Sequence, residues 1–181
     1  MPIHYPDILD QATPPRPFSY GPREAMLYAL GIGFGSDPLD RNELPFVYEK
    51  NLKIVPTAVC VLSGGGPGDI LFPNGAPVPP GHRPSSFSYP DMLHGEEKIE
   101  LHRPLPASGS FVAVDRVDAA YDKGKDKGAL VIRKTEWHLA SGEHVATVTT
   151  SLFCRTEGGF GGPGAGAPRP RGRGRGRLRR R

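Results

Sequence analysis

Cysteine is scarce in this chain. The two present, Cys60 and Cys154, sit in the apolar runs Ala58-Val-Cys-Val-Leu62 and Ser151-Leu-Phe-Cys154. Both read as small buried hydrophobes. No C-x-x-C pattern occurs, so neither a disulfide framework nor a zinc site is implied. His4, His82, His102, His138 and His144 fall at no spacing that suggests a metal and read as surface or strand residues. No apolar run approaches the ~20 residues that a membrane helix needs. The first ten residues, MPIHYPDILD, lack both a charged start and an apolar stretch, so no secretory leader is expected. A reducing, cytoplasmic setting fits these absences.

Acid is missing from one region. Arg169 to Arg181 holds eight Arg and no Asp or Glu. Residues 1–168 therefore carry fifteen basic against nineteen acidic side chains, and the formal net charge of +4 belongs to the tail. A basic balance raises nucleic acid as a partner. Here that idea reaches only the Arg-Gly tail, which could bind phosphates without sequence preference. Aromatic residues that would stack on bases are absent from it, and an out-of-frame reading of a GC-rich linker would give the same residues.

Glycine and proline, by contrast, are plentiful, with 24 Gly and 21 Pro. They concentrate between Gly64 and Pro90, which reads as a long loop, and after Gly158, where the composition supports no core. The expected division is a folded domain over 1–157 and a disordered tail over 158–181. Residues Ile3–Pro17 read as extended. Pro22–Leu30 reads as a helix with Ala25, Met26, Leu27, Ala29 and Leu30 on its apolar face, ended by the glycines from Gly31 to Gly35. Phe46–Glu49 reads as a short strand, and Thr57–Leu62 as a strand or a buried helix. Glu96–His102 alternates, and Phe111–Tyr121, Ala129–Leu139 and His144–Cys154 follow as further strands separated by the Gly-containing turns Asp122–Gly128 and Ala140–Glu143, which suggests an antiparallel meander. One helix against such a sheet gives an α+β domain. Trp137 is expected in the core or an interface.

A family resemblance rests on segments spread through the chain. They are Tyr28-Ala-Leu-Gly31, Asp37-Pro-Leu-Asp40, Glu43-Leu44, Phe46-Val-Tyr-Glu49, and Leu52-Lys53 through Pro56-Thr57. Further on come Leu93-His-Gly-Glu96, Glu100-Leu101, Arg103-Pro-Leu-Pro106, Asp122-Lys-Gly124 and Gly158-Gly-Phe-Gly-Gly162. In order, over residues 5–163, these resemble the N-terminal, non-catalytic half of MaoC-like type 2, (R)-specific enoyl-CoA hydratases, as in peroxisomal multifunctional enzymes of type 2. The resemblance implies a hot-dog fold and hydration of trans-2-enoyl-CoA to (R)-3-hydroxyacyl-CoA in fatty acid or sterol β-oxidation. It implies peroxisomal residence in a eukaryote, although the chain does not end in Ser-Lys-Leu.

The resemblance also implies where chemistry is absent. The family's catalytic motif, with an Asp and a His around one water, belongs to a second repeat. Tyr28–Asp40 is similar to a degenerate copy in which Asp40 stands where the His belongs. Without the imidazole, a general base for the water is missing, so Asp37 and Asp40 read as turn residues and no catalytic residue is expected. His94 and Gly95 match positions that contact the CoA thioester. Lys123 matches a position that contacts CoA phosphates, with Lys127 open as an alternative because the turn Asp122–Gly128 has two extra residues. The expected ligand is an acyl-CoA, as substrate rather than cofactor. The expected partner is a second copy or a separate hot-dog subunit carrying catalysis.

Overall fold

Alternation of buried and half-buried residues organises the molecule. From Phe111 to Val117 every second side chain is buried, and the same period-two pattern runs through Arg133, Thr135 and Trp137. One face of each strand thus turns to an interior. The computed structural model describes residues 3–10, 14–63, 92–164 and 166. Its five strands are β1 (Arg16–Tyr20), β2 (Met92–Leu101), β3 (Gly109–Asp122), β4 (Ala129–Leu139) and β5 (His144–Cys154). They form one antiparallel sheet in the order β1-β3-β4-β5-β2. The β3-β4-β5 meander matches the sequence expectation, and β4 and β5 have the expected bounds.

The edges of the sheet differ from expectation. β1 begins inside the Pro-rich segment that reads as merely extended. Pro17 is tolerated there because β1 is an edge strand, where one row of N–H groups has no ladder to serve. Earlier in that segment, Asp7–Asp10 forms a 3-10 turn. β2 starts at Met92 rather than Glu96, because its pairing with β5 continues through an irregularity at Gly95 that spoils the alternation.

Among the described residues two α-helices precede β2. α1 (Pro22–Gly31) takes Pro22 in its first turn, and the Glu24 carboxylate accepts the Gly21 N–H at 2.9 Å. At its other end Phe34 N–H donates to the Ala29 carbonyl and Gly33 N–H to that of Leu30, with Gly33 at φ 101°. That closure of the last turn favours glycine at Gly33. The apolar face is narrower than expected. Ala25 and Ala29 are buried, but Leu27 and Leu30 are 56% and 51% exposed. The expected strand at Phe46–Glu49 is instead a short helix, α2 (Leu44–Val47). Pro45 supplies the helical φ in its first turn, and Phe46 is held edge-on to Phe34 with ring centroids 5.0 Å apart. The open choice at Thr57–Leu62 resolves as a 3-10 turn over Pro56–Cys60, with Ala58 and Val59 buried.

The core lies mainly on the inner sheet face, in two clusters, with a smaller third of Ala119, Tyr121 and Ile132. One gathers Phe18, Tyr20, Phe111, Trp137 and Val59. The other gathers Ile3, Ile8, Val117, Val131 and Leu152. The outer face carries ion pairs, including Arg116–Glu136 at 2.7 Å and Lys134–Asp118 at 3.0 Å. Past the strands, ordered packing continues through Gly164. Asp122 accepts the N–H groups of Gly124, Gly159 and Gly161 at 2.7–2.8 Å, and Phe160 packs beside Tyr5. The sequence boundary after residue 157 thus falls within a segment held on the β3–β4 hairpin. The Gly64–Pro90 loop, with His82, and the Arg169–Arg181 tail lie outside the described residues. No described helix is long and apolar enough to cross a membrane.

Candidate functional site

Between the inner sheet face, α1 and the Pro56–Cys60 turn lies a cavity of about 510 Å³, lined among others by Tyr28, Val59, His94, Glu97, Arg133 and Thr150. Its floor is ionic. Asp115 on β3 pairs in register with Thr135 on β4, and Arg133 stands two residues from Thr135 on the same face. Arg133 Nη2 donates to Asp115 Oδ1 at 3.0 Å and to Thr135 Oγ1 at 3.2 Å. Thr135 Oγ1 donates to the same carboxylate oxygen at 2.6 Å. From β1, Arg16 Nη2 donates to Asp115 Oδ2 at 3.2 Å, and Arg16 also donates to the Ser63 carbonyl. Asp115 is 0% exposed and Arg133 5%. Two guanidiniums thus share one wholly buried carboxylate, and charges so buried persist only when paired and hydrogen-bonded.

His94 stands at the mouth. On β2 it pairs with Leu152, an inner-face position, and Glu97 pairs with Thr150, another. Residues three apart on a strand ordinarily face opposite ways. The bulge at Gly95 inserts one extra residue, so both side chains reach the inner face. Their ring nitrogen and carboxylate meet, His94 Nε2 to Glu97 Oε2, at 2.8 Å. A Cβ on Gly95 would stand 3.2 Å from the Ser151 carbonyl oxygen, so the close approach of β2 to β5 suits glycine there. The His94 imidazole is half exposed and fixed by its carboxylate partner, which leaves it able to donate or accept a hydrogen bond at the cavity edge.

Lys123 follows β3 directly, and its ammonium lies 5.2 Å from the centre of the Phe153 ring. Phe153 pairs with Leu93, the neighbour of His94. Lys123 and His94 therefore stand at the same corner of the sheet, Lys123 beside an outer-face ring and His94 on the inner face. Lys127 belongs to the turn itself, its N–H donating to the Gly124 carbonyl. Burial of Asp122 beside them favours its neutral form, but N–H donation from Gly159, Gly124, Gly161 and Phe160 outweighs this and holds its carboxyl below the usual range.

The other candidates have local duties. Asp37 accepts the Leu39 N–H and Asp40 the Asn42 N–H, each closing a turn. Trp137 is fully buried among Phe18, Tyr20 and Phe111. Burial, with the Glu97 charge beside it, pushes the Cys60 thiol up to about 11, and burial pushes that of Cys154 to about 12. Both stay protonated and inert near neutrality. His102 and His138 flank His144, with ring centroids 4.1 and 4.9 Å apart. Among the described residues no group of three or more His, Cys, Asp or Glu could hold a metal ion.

Asp115, Arg133 and Glu97 were not singled out from sequence. A signal existed for the first two. Asp115 sits between Ala113 and Val117, and Arg133 between Val131 and Thr135, at positions whose parity is that of the core.

Comparison with known proteins adds to this geometry. The model of the MFE-2 hydratase 2 N-terminal domain matches residues 18–156. The chain is 32% identical over 165 residues to the enoyl-CoA hydratase ChsH3 of Mycobacterium tuberculosis, covering 90% of this chain and 54% of that one. The chain spans about half the length of the curated relatives it matches. Among solved structures, a MaoC-like dehydratase from Phytophthora capsici superposes with a TM-score of 0.63 at 28% identity, over 89% of this chain and 52% of that one. A chain of the ChsH1-ChsH2 complex of Mycobacterium tuberculosis superposes at 0.60 with 14% identity, over 83% and 93%. The five-stranded antiparallel sheet is thus the hot-dog fold that the resemblance implied.

Proposed function

The chain belongs to the MFE-2 hydratase 2 N-terminal domain family, and on that premise we propose that it is the acyl-CoA-binding repeat of an enoyl-CoA hydratase 2, inactive until paired with a repeat that activates water. The observation that carries this reading is the 510 Å³ cavity opening beside His94 on a bulged edge strand. In it, the acyl group enters the cavity under Tyr28 and Val59. The thioester passes His94, whose imidazole is oriented by Glu97, and runs along the backbone at Gly95. The CoA phosphates turn the corner of the sheet toward Lys123, whose point charge suits them.

Hydration adds a water oxygen to the β-carbon and a proton to the α-carbon, which takes one base and one acid in place around the same water. Asp37 and Asp40 are engaged in their own turns, and this supports assigning that step to another repeat. Among the described residues β2 pairs only with β5, and the backbone groups of its outer edge suit a second strand. A second hot-dog repeat, in another copy or another subunit, is the proposed occupant.

Calorimetric titration of the purified chain with trans-2-decenoyl-CoA tests the reading. Saturable binding that His94→Ala weakens about tenfold is expected, with no hydration detected until a catalytic hot-dog repeat is added. Turnover by the chain alone would overturn the assignment of catalysis to a partner.

A further inference from the structure

The inner sheet face is divided into bands. Aromatic residues fill one end, around Trp137 and Phe111, and aliphatic residues the other, around Val131 and Leu152. Between them, on the same strands, run Asp115, Arg133, Thr135 and Thr150, all at most 5% exposed. The cavity lies over this middle band, with Arg133, Thr135 and Thr150 in its wall. A site for plain hydrocarbon would gain nothing from such a floor. Apolar residues of equal volume are often as stable as a buried ion pair or more so. Hydrocarbon laid on the band would also offer its polar groups no hydrogen bond.

The charges point to what does fit. Arg16 and Arg133 bring two positive charges to the single carboxylate of Asp115. Among the described lining residues the acid is Glu97, which lies at the mouth against His94. The floor is thus donor-rich and electropositive, and it complements an oxygen that accepts hydrogen bonds. Guanidinium is the side chain best shaped to hold one.

We propose that the cavity selects acyl groups bearing an acceptor oxygen, a hydroxyl or carboxylate remote from the thioester, over unfunctionalised fatty-acyl chains, with Arg133 as the specificity-determining residue. This rests on the acyl-CoA reading above.

The test is calorimetric titration of the full chain with free CoA and with trans-2-enoyl-CoA of eight, ten and twelve carbons, each with and without a terminal hydroxyl. At the best-fitting length the hydroxylated thioester is expected to bind about tenfold tighter, the effect of one hydrogen bond to a charged group. Arg133→Met should erase that preference and leave affinity for free CoA unchanged. Thr150→Val, which keeps the side-chain shape, should reduce the preference severalfold and serves where Arg133→Met does not fold. Plain thioesters binding as tightly as hydroxylated ones at every length would overturn the selectivity and leave the acyl-CoA reading standing. A preference surviving in the folded variants would also overturn it. No gain in affinity from any acyl group over free CoA would overturn both.

Discussion

Trp137 and Arg133 lie on one strand, point to one face and are buried alike, yet they do opposite things for the molecule. Trp137 packs against Phe18 at a ring distance of 4.6 Å, with Tyr20 and Phe111 around it. Burial of its ring is favourable, although its indole N–H is buried without a hydrogen-bond partner among the described residues. Arg133 faces a cavity and needs Asp115 and Thr135 to be tolerated at all. Four residues along β4 thus separate a part of the sheet that holds the fold together from a part that the fold must support. Burial alone does not distinguish structure from function; what a buried group is paired with does.

The comparison can be broken most severely at either end. Trp137→Ala should cost about 3–5 kcal/mol, the usual range for a large core truncation, read as a fall in urea midpoint. Asp115→Ala should cost a similar amount, about 3–5 kcal/mol, because it removes the carboxylate that two guanidiniums share. A loss under ~1 kcal/mol for Asp115→Ala would mean that water reaches the floor freely.

Removing all three charges together sharpens the contrast. Asp115→Leu combined with Arg133→Met and Arg16→Met should leave stability unchanged or raise it by about 1–4 kcal/mol, as replacement of a buried ionic triad by packed hydrocarbon does elsewhere. A triple variant as unstable as Asp115→Ala alone would show the middle band to be structural after all.

Asp122 makes a third case, an acid whose partners are backbone N–H groups. Asp122→Ala should cost about 1–2 kcal/mol, near the lower values for such bonds because water reaches the site. Its carboxyl is held below the ordinary range when folded. Its contribution is therefore complete above the ordinary unfolded value of ~3.9 and is lost as pH falls through the lowered folded value. Wild type and Asp122→Ala should differ in stability at pH 6 and converge in strong acid; a gap independent of pH would exclude the carboxylate as the cause.

The smallest effect is expected on the outer side of α1. Leu27→Ser should shift stability by no more than about 0.5 kcal/mol, since the side chain is already mostly in water. It should nevertheless weaken association with a second repeat if α1 is covered there, as sedimentation would show.

What the sequence made legible follows from range. β3, β4 and β5 were visible because long runs between glycine-bearing turns are a local signal, and α1 because its proline and glycine ends are local too. α2 was misread because Phe46-Val47-Tyr48 has strand-forming side chains, whereas Pro45 and the Phe34 ring decide its backbone. Arg133 and Asp115 come together only through the register of β3 on β4. His94, Gly95 and Lys123 were singled out through a family resemblance rather than through any local pattern. The Glu97 partner of His94 was not, because it depends on a single irregular residue in β2.

That residue acts as a phase shift in a two-stroke pattern. On one side of Gly95 even-numbered positions face the cavity, and on the other side odd-numbered ones do. Losing or gaining one residue within β2 would therefore transpose everything beyond it. Either His94 would leave the cavity, or Lys98 and Glu100 would swing in where Ile99 now packs. Changes of two residues would preserve the beat. The length of this strand is thereby constrained in parity more tightly than in amount, and one glycine without a side chain decides which side chains face the cavity.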